Sequence, residues 1–266
     1  IRDQGLAKEL LRKALLNERE SVRRAGTYGL VALDTAAEDV FLEAIKSPIK
    51  WLRKAGVYGL GEVRTLNQET FEAVKKCLLE DPSKYVRSVA AGSLGCLGRR
   101  TIASGQGLEW IPKCIEVLIQ SLQQEENRLA MDRAQKRNIK FVRPTDECDV
   151  CEGMGTDFGI ERFEPVRSSV RENVLWALVM LCSHGEEVLG DNLDFLIEEL
   201  KKIIHQDQNV ITLGFAMDAL CRLAHLRVGE EAPPTAIIEL RKDLLMILNS
   251  SPIQCWESLV RSGLRP

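Results

Sequence analysis

The sequence predicts an all-α protein, an α-solenoid in which about six helical pairs stack into one domain over residues 1–266. Three observations carry this. A nine-residue segment, Val22 to Leu30 (VRRAGTYGL), recurs as Leu52 to Leu60 (LRKAGVYGL) and Val86 to Leu94 (VRSVAAGSL), with fainter copies at Val170 to Leu178 (VRENVLWAL) and Thr212 to Leu220 (TLGFAMDAL). Self-similarity on this scale is the mark of a repeat array. On a wheel of 100° per residue, Val22, Ala25, Gly26, Gly29, Leu30 and Leu33 share one face, with Arg23, Arg24 and Thr27 off it. That face is built around Gly and Ala. Each helical Gly costs roughly 0.5–1 kcal/mol relative to Ala, so its recurrence asks for a neighbour packed too close for larger side chains.

The elements follow in order. Residues 4–16 and 20–33 form the first pair, 36–46 and 48–63 the second, 68–79 and 82–98 the third. Asn17, Ser47 and Asp81, each six residues before the repeated arginine, are cap or turn residues, and Pro48 and Pro82 follow two of them. After a polar connection, 108–123 reads as the first helix of pair four, with Ile111, Ile115, Leu118 and Leu122 at helical spacing. Its partner signature arrives only at Val170. The excess is a charged segment, 124–165, inserted as a loop between the two helices of the fourth pair; loops this long are functional or disordered. The array then resumes with 166–183, a fifth pair at 187–205 and 210–226, and a divergent sixth at 233–248 and 252–261.

A capping residue, often Asp, then an apolar residue followed by Arg, a small residue and Leu resembles the second helix of a HEAT repeat. In that family the Asp and Arg of successive repeats form a ladder of ion pairs and caps; here Asp81 with Arg87 keeps both members, while Asn17, Ser47 and Pro165 stand in the acidic place of the other copies. The resemblance implies that the second helices line a concave face. Tyr28, Tyr58 and Trp176 occupy one position of their copies, with Gly92 and Asp218 in the others, and together with Arg24 and Lys54 they would form an aromatic and basic binding stripe. Tyr, Trp and Arg are favoured anchors at interfaces. The alternative is that these rings fill grooves between neighbouring helices.

The net charge of -3 gives no global drive toward nucleic acid or an anionic membrane. The longest apolar run, about 174–181, is far short of the roughly 20 residues of a membrane helix, and the N-terminal residues lack the layout of a signal peptide. Of eight cysteines, Cys77, Cys96, Cys182 and Cys221 fall inside apolar helical patterns, which predicts buried free thiols and a reducing, cytoplasmic compartment.

Two features of the insertion carry candidate chemistry. Cys148 and Cys151 have the spacing of half a tetrahedral zinc site, though neither a second Cys-x2-Cys nor a His-x3-His accompanies them; the plain alternative is two incidental thiols. Arg133, Lys136, Arg137, Lys140 and Arg143 form a basic run that could dock phosphate or an acidic protein. Equally, flanking acids from Glu125 to Asp149 cancel its field beyond a Debye length of ~8 Å. Catalytic signatures are missing: His184, His205 and His225 stand alone, none is followed by Glu as in the HEAT-type hydroxylases, and no HExxH, Gly-rich phosphate loop or G-x-S-x-G occurs. No cofactor is implied. The expected function is non-enzymatic: a preordered concave face that binds a segment of a protein partner. Nucleic-acid binding through concave basic residues, or an accessory lyase-like activity on a bound cofactor, are the alternatives.

Overall fold

The computed structural model describes residues 4–63, 66–136, 170–182, 193–206 and 210–225, with Ile238 and Lys242. It is a stack of helical pairs. Pair one is α1 (Gln4–Leu15) and α2 (Glu20–Ala32); pair two is a 3-10 turn (Asp34–Ala37) leading into the short α3 (Glu38–Ala44), then α4 (Lys50–Glu62); pair three is α5 (Gln68–Glu80) and α6 (Lys84–Ser104). Pair four joins α7 (Ile111–Lys136) to α8 (Val170–Cys182), and pair five is α9 (Leu193–Gln206) with α10 (Val210–His225). The sixth pair expected from the sequence lies outside the described residues, apart from its two isolated positions.

Two boundaries differ from the sequence reading. Helix α6 continues to Ser104 and stops at Gly105, whose φ of 68° supplies the left-handed conformation that closes a helix. Helix α7 runs to Lys136, so 124–136 is helix rather than loop. Tertiary contacts favour the extension: Glu125 faces Arg87 and Arg128 reaches the Leu79 carbonyl at 2.8 Å. The remainder of the insertion, from residue 137 onward, lies outside the described residues.

The turns between first and second helices reuse one device. Asn17 Oδ1, Ser47 Oγ and Asp81 Oδ1 each accept a hydrogen bond from the backbone N–H two residues on, at 2.9, 3.1 and 2.8 Å. Six residues after each stands the repeated arginine, whose Nη1 donates back to the two carbonyls of that turn: Arg23 to Asn17 and Glu18, Arg53 to Ser47 and Pro48, Arg87 to Asp81 and Pro82. The outer edge of each guanidinium is then left for the next repeat. Arg53 takes the Asp81 carboxylate with two bonds of 2.7 and 3.0 Å, and Arg87 takes Glu125. For Arg23 the next turn offers Ser47 in place of a carboxylate, and the guanidinium lies over the Trp51 ring, 4.2 Å from its centroid. The copy that keeps both Asp81 and Arg87 thus uses them in different bonds, and Asp81 with Arg53 is a rung between successive repeats. Asp81 gives Arg87 only its backbone carbonyl, and its charge goes to the arginine of the preceding pair.

The second helices form a continuous row, α4 against α6, α6 against α8 and α8 against α10. Glycine sets their separation. A Cβ on Gly61 would lie 2.9 Å from Ser93 Cα, and one on Gly95 would lie 2.8 Å from the Ala177 Cβ and 2.9 Å from its Cα. Residues 54–62 of α4 and 90–98 of α6 are buried without exception. Polar groups inside the row are bonded across it: Ser93 Oγ donates to the Val57 carbonyl at 3.0 Å, Asn173 Nδ2 donates to Ser88 Oγ, and Arg100 pairs with the buried Glu62 at 3.1 Å.

Candidate protein-interaction groove

The stripe expected along the second helices is not one surface. Tyr28, at the start of the stack, is 38% exposed, but Tyr58 at the same position of α4 is 3% exposed and Lys54 is 6% exposed. The two tyrosine rings pack edge to face, with centroids 6.2 Å apart. Trp176 is half-buried and lies against the α6 backbone at Gly95, and the half-buried Arg24 has Glu20 of its own helix 3.8 Å away. The wheel puts these positions at the edge of the packed face. Because glycine draws the neighbouring helices so close, that edge becomes interior at Tyr58 and Lys54. Arg133 and Lys136 fall on the last turns of α7; Arg137, Lys140, Arg143, Cys148 and Cys151 lie outside the described residues.

Helices α1, α3 and α5 pack more loosely on one another than α4, α6 and α8 do, and the grooves between them differ. Between α1 and α3, Lys8 reaches Asp39 at 2.6 Å and Arg12 grips Glu43 at 2.6 and 2.7 Å. Burial of Asp39 works against its charge, but the hydrogen bond and charge of Lys8 outweigh it and hold the carboxyl below its usual value. Clamped in this way, the groove measures about 360 Å³.

Between α3 and α5 the volume is about 730 Å³. This groove is fastened at one end. Asn67 Nδ2 donates to Glu38 Oε1 at 2.8 Å and the Thr70 hydroxyl donates to the same oxygen, while Asn67 Oδ1 caps α5 by accepting from the Thr70 N–H. Beyond that clasp the floor is apolar, made by Leu42, Ile45, Ala73 and Cys77, and the rim is charged, with Lys46 on one side and Glu69, Glu72, Lys76 and Glu80 on the other. Arg53 and Asp81 close the far end as a pair; the Asp81 hydrogen bond raises the arginine's pKa further against the effect of burial. Burial and the nearby Asp81 charge push the Cys77 thiol up to about 12, so the floor carries an inert thiol rather than a nucleophile. Cys96, Cys114 and Cys221 are likewise buried thiols that form no disulfide. Among the described residues no group of three or more His, Cys, Asp or Glu could hold a metal, and no helix is long and apolar enough to cross a membrane.

Sequence reading missed this site because it belongs to two repeats at once. The available signal was a face of α5 on which Ala73 and Cys77 alternate with charges at 69, 72, 76 and 80, an apolar line too weak to be taken for core.

A stack of two-helix repeats with interior second helices and an open groove between first helices defines a helical-repeat scaffold. Residues 7–95 match the family model for HEAT repeats, and the described helices continue the same HEAT-like pairing beyond them. No curated protein matches it. An engineered protein is similar in structure, with a TM-score of 0.52 at 14% identity, over 97% of this chain and 96% of that one. So is a designed armadillo repeat protein in complex with the peptide (KR)4, with a TM-score of 0.52 at 14% identity, over 96% of this chain and 97% of the other. At such identities the likeness is one of fold.

Proposed function

We propose that this chain is a non-enzymatic interaction module that holds a segment of a protein partner in the α3–α5 groove. One observation carries the reading: an apolar floor lies open between two rigid helices, with Lys46, Glu69, Lys76 and Glu80 around it making no ion pair among the described residues. Such a surface gains affinity because its side chains are ordered before the partner arrives. The designed armadillo neighbour, which holds the peptide (KR)4, supports a peptide-binding use of this kind of stack.

The test is Ala73→Arg, which fills the groove from a half-buried position without touching the second-helix row. Proteins captured by the intact chain should be lost by the variant while its thermal melt is unchanged. If Ala73→Arg retains every partner at wild-type yield, the groove is not the site.

A further inference from the structure

The two first-helix grooves differ in volume and in how charge is placed across them. In the first, Lys8 and Arg12 stand one helical turn apart on α1 and meet Asp39 and Glu43, one turn apart on α3. In the second, α5 carries Glu69 and Glu72 one turn apart on the rim, and Lys46 on the opposite side makes no ion pair with either among the described residues. Glu72 meets only Lys75 of its own helix, at 3.4 Å.

Resting on the groove reading above, we infer that the occupant is a short amphipathic helix bearing two basic side chains one turn apart, set against Glu69 and Glu72, followed by apolar side chains over Leu42, Ala73 and Cys77. Three physical points lead there. The walls of the groove are helices, whose backbone groups are already bonded along α3 and α5. An extended peptide would therefore find no edge to pair with, whereas a helix brings its own hydrogen bonds. Next, the rim runs from Glu69 to Glu80 of α5, about 16 Å at about 1.5 Å per residue step, which matches about three turns of a ligand helix. Finally, the charges are not evenly spread. Glu69 and Glu72 make one end acidic, Lys46, Lys76 and Glu80 make the other mixed, and Asp81 is neutralised by Arg53. The acidic end selects a basic pair, and the mixed end tolerates one charge of either sign.

The experiment is selection from a displayed library of amphipathic helices of about three turns, with charged positions randomised, against the intact chain. The selected helices are then measured by fluorescence anisotropy on wild type, on Glu69→Lys/Glu72→Lys and on Ala73→Arg. The expected result is enrichment of Lys or Arg pairs one turn apart beside an apolar line, binding at least about tenfold weaker to the charge-reversed variant, and no binding to Ala73→Arg. Selected helices that bind Ala73→Arg as well as wild type would overturn the groove reading and this inference with it. Helices that need an open groove but show no basic preference, or bind the charge-reversed variant equally well, overturn the inference alone. So does a selection that yields nothing.

Discussion

The row of second helices and the layer of first helices have the same repeat spacing but opposite tolerances. In the row, glycine brings backbones together until a single Cβ at Gly95 would stand 2.8 Å from the Ala177 Cβ; nothing can enter. In the layer, the separation is bridged by side chains alone, by two ion pairs between α1 and α3 and by one hydrogen-bonded clasp between α3 and α5. The lesson is that a solenoid can use its small residues to close one surface while the other keeps grooves, narrower where ion pairs strap them and wider where they do not.

The comparison can be broken at several points. The largest effect is expected from Arg87→Ala, which takes from Glu125 the more buried of its two arginines, leaving Arg128, and removes the donor to the Asp81 and Pro82 carbonyls. Loss of one member of a buried pair costs about 3–5 kcal/mol, and the remaining Arg128 sets the expectation at the lower end of that range. Urea titration should show that loss as a lower midpoint at unchanged slope. Gly95→Ala follows, since the row cannot yield at a backbone contact, and overpacking of this kind costs about 1–3 kcal/mol. Placed on the other layer, Ala73→Arg should leave the melt where it was, and equal destabilisation by both substitutions would erase the distinction between the two surfaces.

Arg12→Ala sharpens the contrast at smaller cost. Its ion pair with Glu43 is exposed, so the stability change is about 0–1 kcal/mol, yet it removes the strap from the first groove. Selected amphipathic helices should then acquire a second, weaker site, visible as a second transition in a titration. The least effect is in acid. Because Lys8 holds the Asp39 carboxyl below the ordinary value of 3.8, its contribution is fully present above that value and disappears as pH falls through the lower folded value. The difference in Tm between wild type and Asp39→Asn should accordingly be small near neutrality and vanish in strong acid.

Much of the architecture was legible in the chain. The nine-residue signature located α2, α4, α6, α8 and the fainter α10, and the turn residues Asn17, Ser47 and Asp81 marked where α2, α4 and α6 begin. What escaped was everything decided between repeats. The partner of Asp81 could not be read from its own copy, because an arginine long enough to satisfy two carbonyls of its own turn presents its outer edge to the next one. The end of α7 escaped for the same reason: 124–136 has no apolar stripe, and Glu125 and Arg128 find their contacts on α6 and at Leu79. A wheel likewise could not show that Tyr58 and Lys54 are covered. Whether a boundary residue is open depends on the distance to the neighbouring helix, which glycine shortens only after the helices meet.

The central claim is that recognition uses the first-helix layer and not the second-helix row. Hydrogen exchange of the chain, alone and with a groove-selected amphipathic helix or a captured partner bound, addresses it directly. The account predicts added protection in residues 38–46 and 68–80, with 20–32 unchanged. Protection that appears around Arg24 and Tyr28 while 68–80 exchanges as in the free chain would contradict it.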